Sequence, residues 1–110
     1  MKVVVKNGRC AIHRGENRRW QPIALPLENV ASAHLRYGHV ACVTKSGQCH
    51  IYSQKGEHVH TYYFRDTRSA EVVGPDRVAV VRTRGWTEIY SFNGCQLGVH
   101  ADGLNNRSYY

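Results

Sequence analysis

The chain has 110 residues, 42% apolar and 21% charged, and its 15 Lys and Arg against 8 Asp and Glu give a net charge of +7. That length suits a single domain, and the composition excludes the polar, aromatic-poor profile of a disordered chain. No stretch approaches the roughly 20 apolar residues of a membrane helix, and the opening Met1-Lys2-Val3-Val4-Val5-Lys6 is too short an apolar run for a signal peptide, so a soluble cytoplasmic protein with no membrane partner is expected.

In chain order, the first apolar run is Val3-Val4-Val5, followed by Gly8, Cys10 and Ile12 and then a polar turn through Arg14-Gly15-Glu16-Asn17. Period-2 runs of β-branched, aromatic and small residues then predict strands near Val30 to Leu35, His39 to Thr44, Cys49 to Ser53 and Val59 to Phe64. A second set is predicted near Ser69 to Val73, Arg77 to Arg82, Thr87 to Phe92 and Gln96 to His100. The turns between them, Lys45-Ser46-Gly47, Gln54-Lys55-Gly56, Gly74-Pro75-Asp76 and Phe92-Asn93-Gly94, carry residues that tolerate tight reversals.

The two sets are copies of one unit. Val78 lies 38 residues after Val40, as Ile89-Tyr90-Ser91 does after Ile51-Tyr52-Ser53 and Gly94 after Gly56. A third copy at the start aligns Val3-Val4-Val5, Gly8, Cys10 and Ile12 with Ala41-Cys42-Val43, Gly47, Cys49 and Ile51 once one residue is added in the turn. Self-similarity at this period marks a repeat architecture of stacked sheets. The fold expected is all-β, three four-stranded antiparallel meanders, in one domain divided at about 1–27 (completed by a C-terminal strand at 105–110), 28–65 and 66–103.

The pattern Val78-Ala79-Val80, Gly85, Ile89-Tyr90-Ser91, Gly94 resembles blades of the β-propeller superfamily, without the Trp-Asp dipeptide of WD40 blades. The resemblance implies closure around an axis, which takes about four to eight blades. Three copies are too few, so a homodimer forming a six-bladed ring is expected. Because Met1 leads straight into the second strand of its unit, the segment ending Asn106-Arg107-Ser108-Tyr109-Tyr110 is expected to complete the first blade within that assembly.

Cys10, Cys42, Cys49 and Cys95 form no Cys-x-x-Cys pair, and in a reducing compartment they read as small buried side chains. His58 and His60 are placed on one strand face by the period-2 rule, yet two imidazoles do not make a metal site, and no metal or cofactor is expected. Asp66, Glu71, Asp76 and Glu88 fall singly beside basic residues and suggest surface ion pairs, so the chain reads as non-enzymatic, with a hydrolase or lyase acting in the channel as a remote alternative.

Arginine supplies eleven of the fifteen cations, and its planar fork suits phosphate and carboxylate. Arg14, Arg18, Arg19 and Trp20 cluster at the first unit, Arg65 and Arg68 flank a connection, and Arg82, Arg84 and Trp86 surround a turn. Cations interleaved with aromatics are what a single strand of nucleic acid requires, charge for the backbone and π faces for the bases. The function expected is a non-enzymatic interaction module that associates with itself and presents a basic, aromatic-bearing surface to a partner the sequence does not specify, with binding of single-stranded RNA or DNA or another polyanion as the alternative reading.

Overall fold

A computed structural model describes residues 1–15 and 21–100, with the side chain of His100 excepted. Every regular element among them is a β-strand. β1 (Lys2–Lys6), β2 (Arg9–His13) and β3 (Ile23–Ala24) form a three-stranded antiparallel sheet. β4 (Val30–Arg36), β5 (His39–Thr44), β6 (Cys49–Ser53) and β7 (His58–Tyr62) form a four-stranded meander, and β8 (Thr67–Gly74), β9 (Arg77–Arg82), β10 (Thr87–Ser91) and β11 (Gln96–His100) form another.

Within residues 1–27 the first unit has three strands, one fewer than the other two units. Its β1 aligns with β5 and β9, which pair on both edges, whereas β1 has β2 as its sole strand partner among the described residues. The strand expected at 105–110 lies outside the described residues. The sheets stand in series, and no closed or propeller arrangement is present among those residues.

Strand alternation explains the series. On one face of the middle sheet Val40, Cys42 and Tyr52 pack with Cys10, Ile12 and Leu25 of the first unit. On its other face Ala41, Cys49 and Ile51 pack with Val72, Val78 and Val80 of the third sheet. Burying a Val or Ile side chain is worth roughly 1.5–3 kcal/mol, so the middle sheet is stabilised from both sides. In the third sheet Val78 and Val80 face back to the middle sheet, while Ala79, Thr87 and Ile89, at the positions of Ala41, Cys49 and Ile51, occupy the opposite face and are also fully buried.

A repeated pair of backbone bonds sets each junction. Val30 N–H donates to Gly8 O (2.9 Å) and Lys45 N–H to Asn29 O (2.8 Å); one unit later Thr67 N–H donates to Gly47 O (3.1 Å) and Thr83 N–H to Asp66 O (2.9 Å). The residues joining consecutive sheets are thus held between the turn of the sheet they leave and the turn of the sheet they enter. This satisfies backbone groups that would otherwise be stranded beside the core. It also brings turns and connections together at one end of the stack.

Candidate functional site

That end carries most of the basic residues expected to bind. Thr83 N–H on Asp66 O seats the β9–β10 turn against the connection 63–66, and Thr67 N–H on Gly47 O seats the connection against the β5–β6 turn. Arg65, Arg68 and Arg84 are exposed there. None of the three has an ion-pair partner among the described residues. Trp86 is half-buried, with its ring centroid 5.9 Å from the Arg84 guanidinium carbon.

Two further side chains belong to this rim although they were not among the expected site residues. Tyr63 is 78% exposed at the start of the connection, and Lys45 is exposed in the β5–β6 turn. The repeat register held a signal for Lys45, because it places that residue in the turn that corresponds to the Arg84 turn. Tyr63 had no such signal, since a tyrosine next to a strand end reads equally well as core.

Arg82 plays a different part. Its guanidinium bridges Asp66 Oδ1 (Nε 2.6 Å) and Glu88 Oε1 (Nη1 2.6 Å) and lies 4.1 Å from the centroid of the Phe64 ring. Glu88 also accepts from Trp86 Nε1 (3.3 Å) and Tyr90 Oη (2.9 Å). Burial opposes the Arg82 charge, but its hydrogen bonds with Asp66 and Glu88 outweigh that and raise its pKa above the usual arginine value. Its positive charge is matched within the fold, and the network instead holds Trp86 and the connection in place.

Arg14 is half-buried after β2, at the opposite end of the first sheet from the Asn7-Gly8 turn, and so lies apart from the rim. Arg18, Arg19 and Trp20 lie outside the described residues. The nine expected site residues therefore divide into Arg65, Arg68, Arg82, Arg84 and Trp86, which the structure gathers, one that it places elsewhere, and three that it does not describe.

The histidines also part company. A bulge opposite Ile51 and Tyr52 sets His58 across from Tyr52 and His60 across from Ile51, two residues on opposite faces. His58 accordingly packs on the Tyr52 ring and His60 on the Tyr62 ring, correcting the expectation of a shared face. Among the described residues no group of three His, Cys, Asp or Glu side chains is placed to hold a metal. His58 instead enters a chain across the sheet: its Nε2 is 2.7 Å from Thr61 Oγ1, which is 3.1 Å from His50 Nδ1, and His50 Nε2 is 3.0 Å from Gln48 Oε1.

Burial, assisted by the neighbouring His58, lowers the His50 pKa below its ordinary 6.5. As pH falls through 6.5 the unfolded chain takes up a proton that folded His50 still refuses, so folding stability contributed by this group is full above 6.5 and declines below it. Urea midpoints are expected to fall between pH 7 and pH 5, and to fall less in His50→Gln; equal slopes in the two proteins would refute the assignment.

Three thiols are buried as expected and the fourth is not. Cys10 and Cys42 meet between the first and middle sheets with their sulfurs 4.0 Å apart, Cys49 is buried on the other face, and Cys95 is exposed after the Asn93-Gly94 turn. The hydrogen bond with Cys10 and burial push the Cys42 thiol up, and burial pushes Cys49 up to about 12. Thiolates are the reactive form. A disulfide-exchange reagent is expected to label one thiol per native chain, Cys95, and all four in urea; rapid labelling of a second native thiol would contradict this packing.

Comparison with protein-family models and with curated proteins finds no match to the chain.

Proposed function

We propose that the chain is a non-catalytic interaction module whose turn rim binds an acidic partner, and that two copies close a six-sheet, propeller-like ring. The observation carrying the first part is the rim itself. Arg65 in the connection, Arg68 at the start of β8 and Arg84 in the β9–β10 turn are exposed on segments braced by backbone hydrogen bonds, without carboxylate partners among the described residues, and Tyr63 and Trp86 belong to the same segments. Charge that is unmatched within the fold attracts anions, and flanking aromatic faces offer stacking to unpaired bases. Asp66 and Glu88, the carboxylates nearest the rim, are both engaged by Arg82, which supports a binding role over proton transfer.

The head-to-tail use of sheet faces supports the ring. Each junction joins the forward face of one sheet to the back face of the next, and no sheet of the described residues lies against the third sheet's forward face or the first sheet's back face, the pair that would meet in a ring. On that back face Val4, Ala11, Pro22 and Ala24 line a depression of about 380 Å³ edged by Lys6 and His13. Sedimentation is expected to give about twice the 12.5 kDa chain mass.

The rim is tested with a single-stranded oligonucleotide as the probe. Replacing Arg65, Arg68 and Arg84 by Ala is expected to weaken binding at least tenfold at low salt and to reduce the slope of log K against log salt by about 2, at roughly 0.7 per phosphate contact on a single strand. No binding by the unaltered chain at low salt would remove nucleic acid as the partner. Equal binding by the triple variant would remove the rim.

A further inference from the structure

We infer that residues 105–110 of one copy pair as a strand along the edge of β1 in a second copy, supplying the inner strand that its first sheet lacks among the described residues. The inference rests on the two-copy ring and names the element that ties it together.

The edge is specific. β5 and β9 are flanked on one side by β4 and β8, the strands that stand at the junctions between sheets, and β1 is the same strand without such a neighbour among the described residues. Ala41, Cys42 and Val43 are fully buried in β5, while the aligned Val3, Val4 and Val5 are half-buried. An apolar strand with an open row of backbone donors and acceptors is a template for another strand.

The repeat supplies the occupant. β4 begins at Val30 and β8 at Thr67, each after a connection of four or five residues (25–29 and 63–66) from the preceding sheet. β11 ends at His100, so the same spacing sets the next inner strand at about 105. Each connection also carries an apolar side chain into the junction, Leu25 and Leu27 in one and Phe64 in the other, and Leu104 occupies the corresponding stretch of sequence.

The third sheet retains the seat for such a connection. Gly8 and Gly47 have positive φ, and a Cβ on either would meet the backbone of the connection, at Asn29 and Asp66 respectively. Gly85 has the same kind of backbone, φ +100, but no described atom lies within 4 Å of the equivalent point. The segment after β11 would thus lie over its own Gly85 and enter the following sheet.

That following sheet belongs to another copy. Packed sheets lie roughly 10 Å apart, so the third and first sheets of one chain are separated by two spacings, about 20 Å. Four connecting residues make five steps between the strand ends and span at most about 18 Å. They bridge one spacing, as both observed connections do, and not two.

The test uses the full chain and the full-length variant carrying Arg107→Pro and Tyr109→Pro, whose prolines remove ladder donors. Sedimentation over a concentration series gives the dimer dissociation constant, and hydrogen exchange gives protection of the β1 amides not bonded to β2. The variant is expected to dissociate at least tenfold more readily, and the edge amides, protected in the unaltered dimer, to exchange freely in the variant. A dimer whose dissociation constant is the same in both proteins, or whose β1 edge exchanges freely in the unaltered chain, overturns the strand and leaves the ring. A monomer at every concentration overturns the ring, and the strand with it.

Discussion

Gly47→Ala is expected to lose about 2–5 kcal/mol of folding stability, from a left-handed backbone cost of about 1–2 kcal/mol and an overpacking cost of about 1–3 kcal/mol. Gly47 has φ +88, and a Cβ there would stand 2.7 Å from Asp66 N and closer still to the Arg65 carbonyl. Those are backbone atoms held by Thr67 N–H on Gly47 O and Thr83 N–H on Asp66 O, so no flexible side-chain end can move aside. Against a total of about 5–15 kcal/mol, such a loss brings a small domain close to unfolding. Gly85→Ala separates the two costs, because φ is +100 but no described atom lies near its Cβ. Its loss is expected to be about 1–2 kcal/mol. Urea unfolding of both variants, run below the concentration at which copies associate, checks the difference; equal losses would show that the connection does not rest on Gly47. Because the same contact carries Tyr63 and Arg65, any folded Gly47→Ala is also expected to bind the oligonucleotide more weakly.

Much of the sheet architecture was legible because it rests on local signals. The strands His39–Thr44, Cys49–Ser53, Arg77–Arg82 and Gln96–His100 have the predicted bounds, set by β-branched runs between glycine turns. The 38-residue offset carried more, since it placed Val40 and Val78 at equivalent positions facing the preceding sheet, and Ile51 and Ile89 at equivalent positions facing away from it. Cross-strand detail was not legible. The bulge opposite Ile51 and Tyr52 moves His58 and His60 to opposite faces, and nothing in His-Val-His announces that one residue will be left unpaired. The exposed Cys95 falls between a turn and an edge strand, where a small apolar residue reads as the start of the strand. For the rim, local clustering identified Arg65, Arg68 and Arg84, but the pairing of Arg82 with Asp66 depends on a hydrogen bond across 16 residues, fixed by the register of β8 on β9 that sets Thr67 opposite Arg82. Proximity in sequence told which charges lie near a turn, and tertiary pairing decided which remain available to a partner.

Arg82→Met is expected to cost about 2–4 kcal/mol near pH 7, somewhat below the 3–5 kcal/mol of breaking a fully buried pair because this network keeps some solvent access. The side chains of Arg82, Asp66 and Glu88 are 18%, 31% and 14% exposed. Methionine fills much of the space over Phe64 but leaves two carboxylates facing one another's field, with Glu88 retaining only the neutral donors Trp86 and Tyr90. The penalty comes from those uncompensated charges, so it is expected to be largely recovered when Asp66→Asn and Glu88→Gln accompany Arg82→Met. Urea unfolding of the single and triple variants decides the matter: a loss unchanged by the added amides would mean that Arg82 contributes packing and not charge. The same variant separates structure from binding. An arginine already matched by two carboxylates releases no counterion from a bound polyanion, so Arg82→Met, while folded, is expected to leave the salt slope of oligonucleotide binding unchanged, whereas Arg84→Ala lowers it by roughly 0.7. A lowered slope in Arg82→Met would place its guanidinium on the partner and move the binding surface from the turn tips into the junction between the sheets.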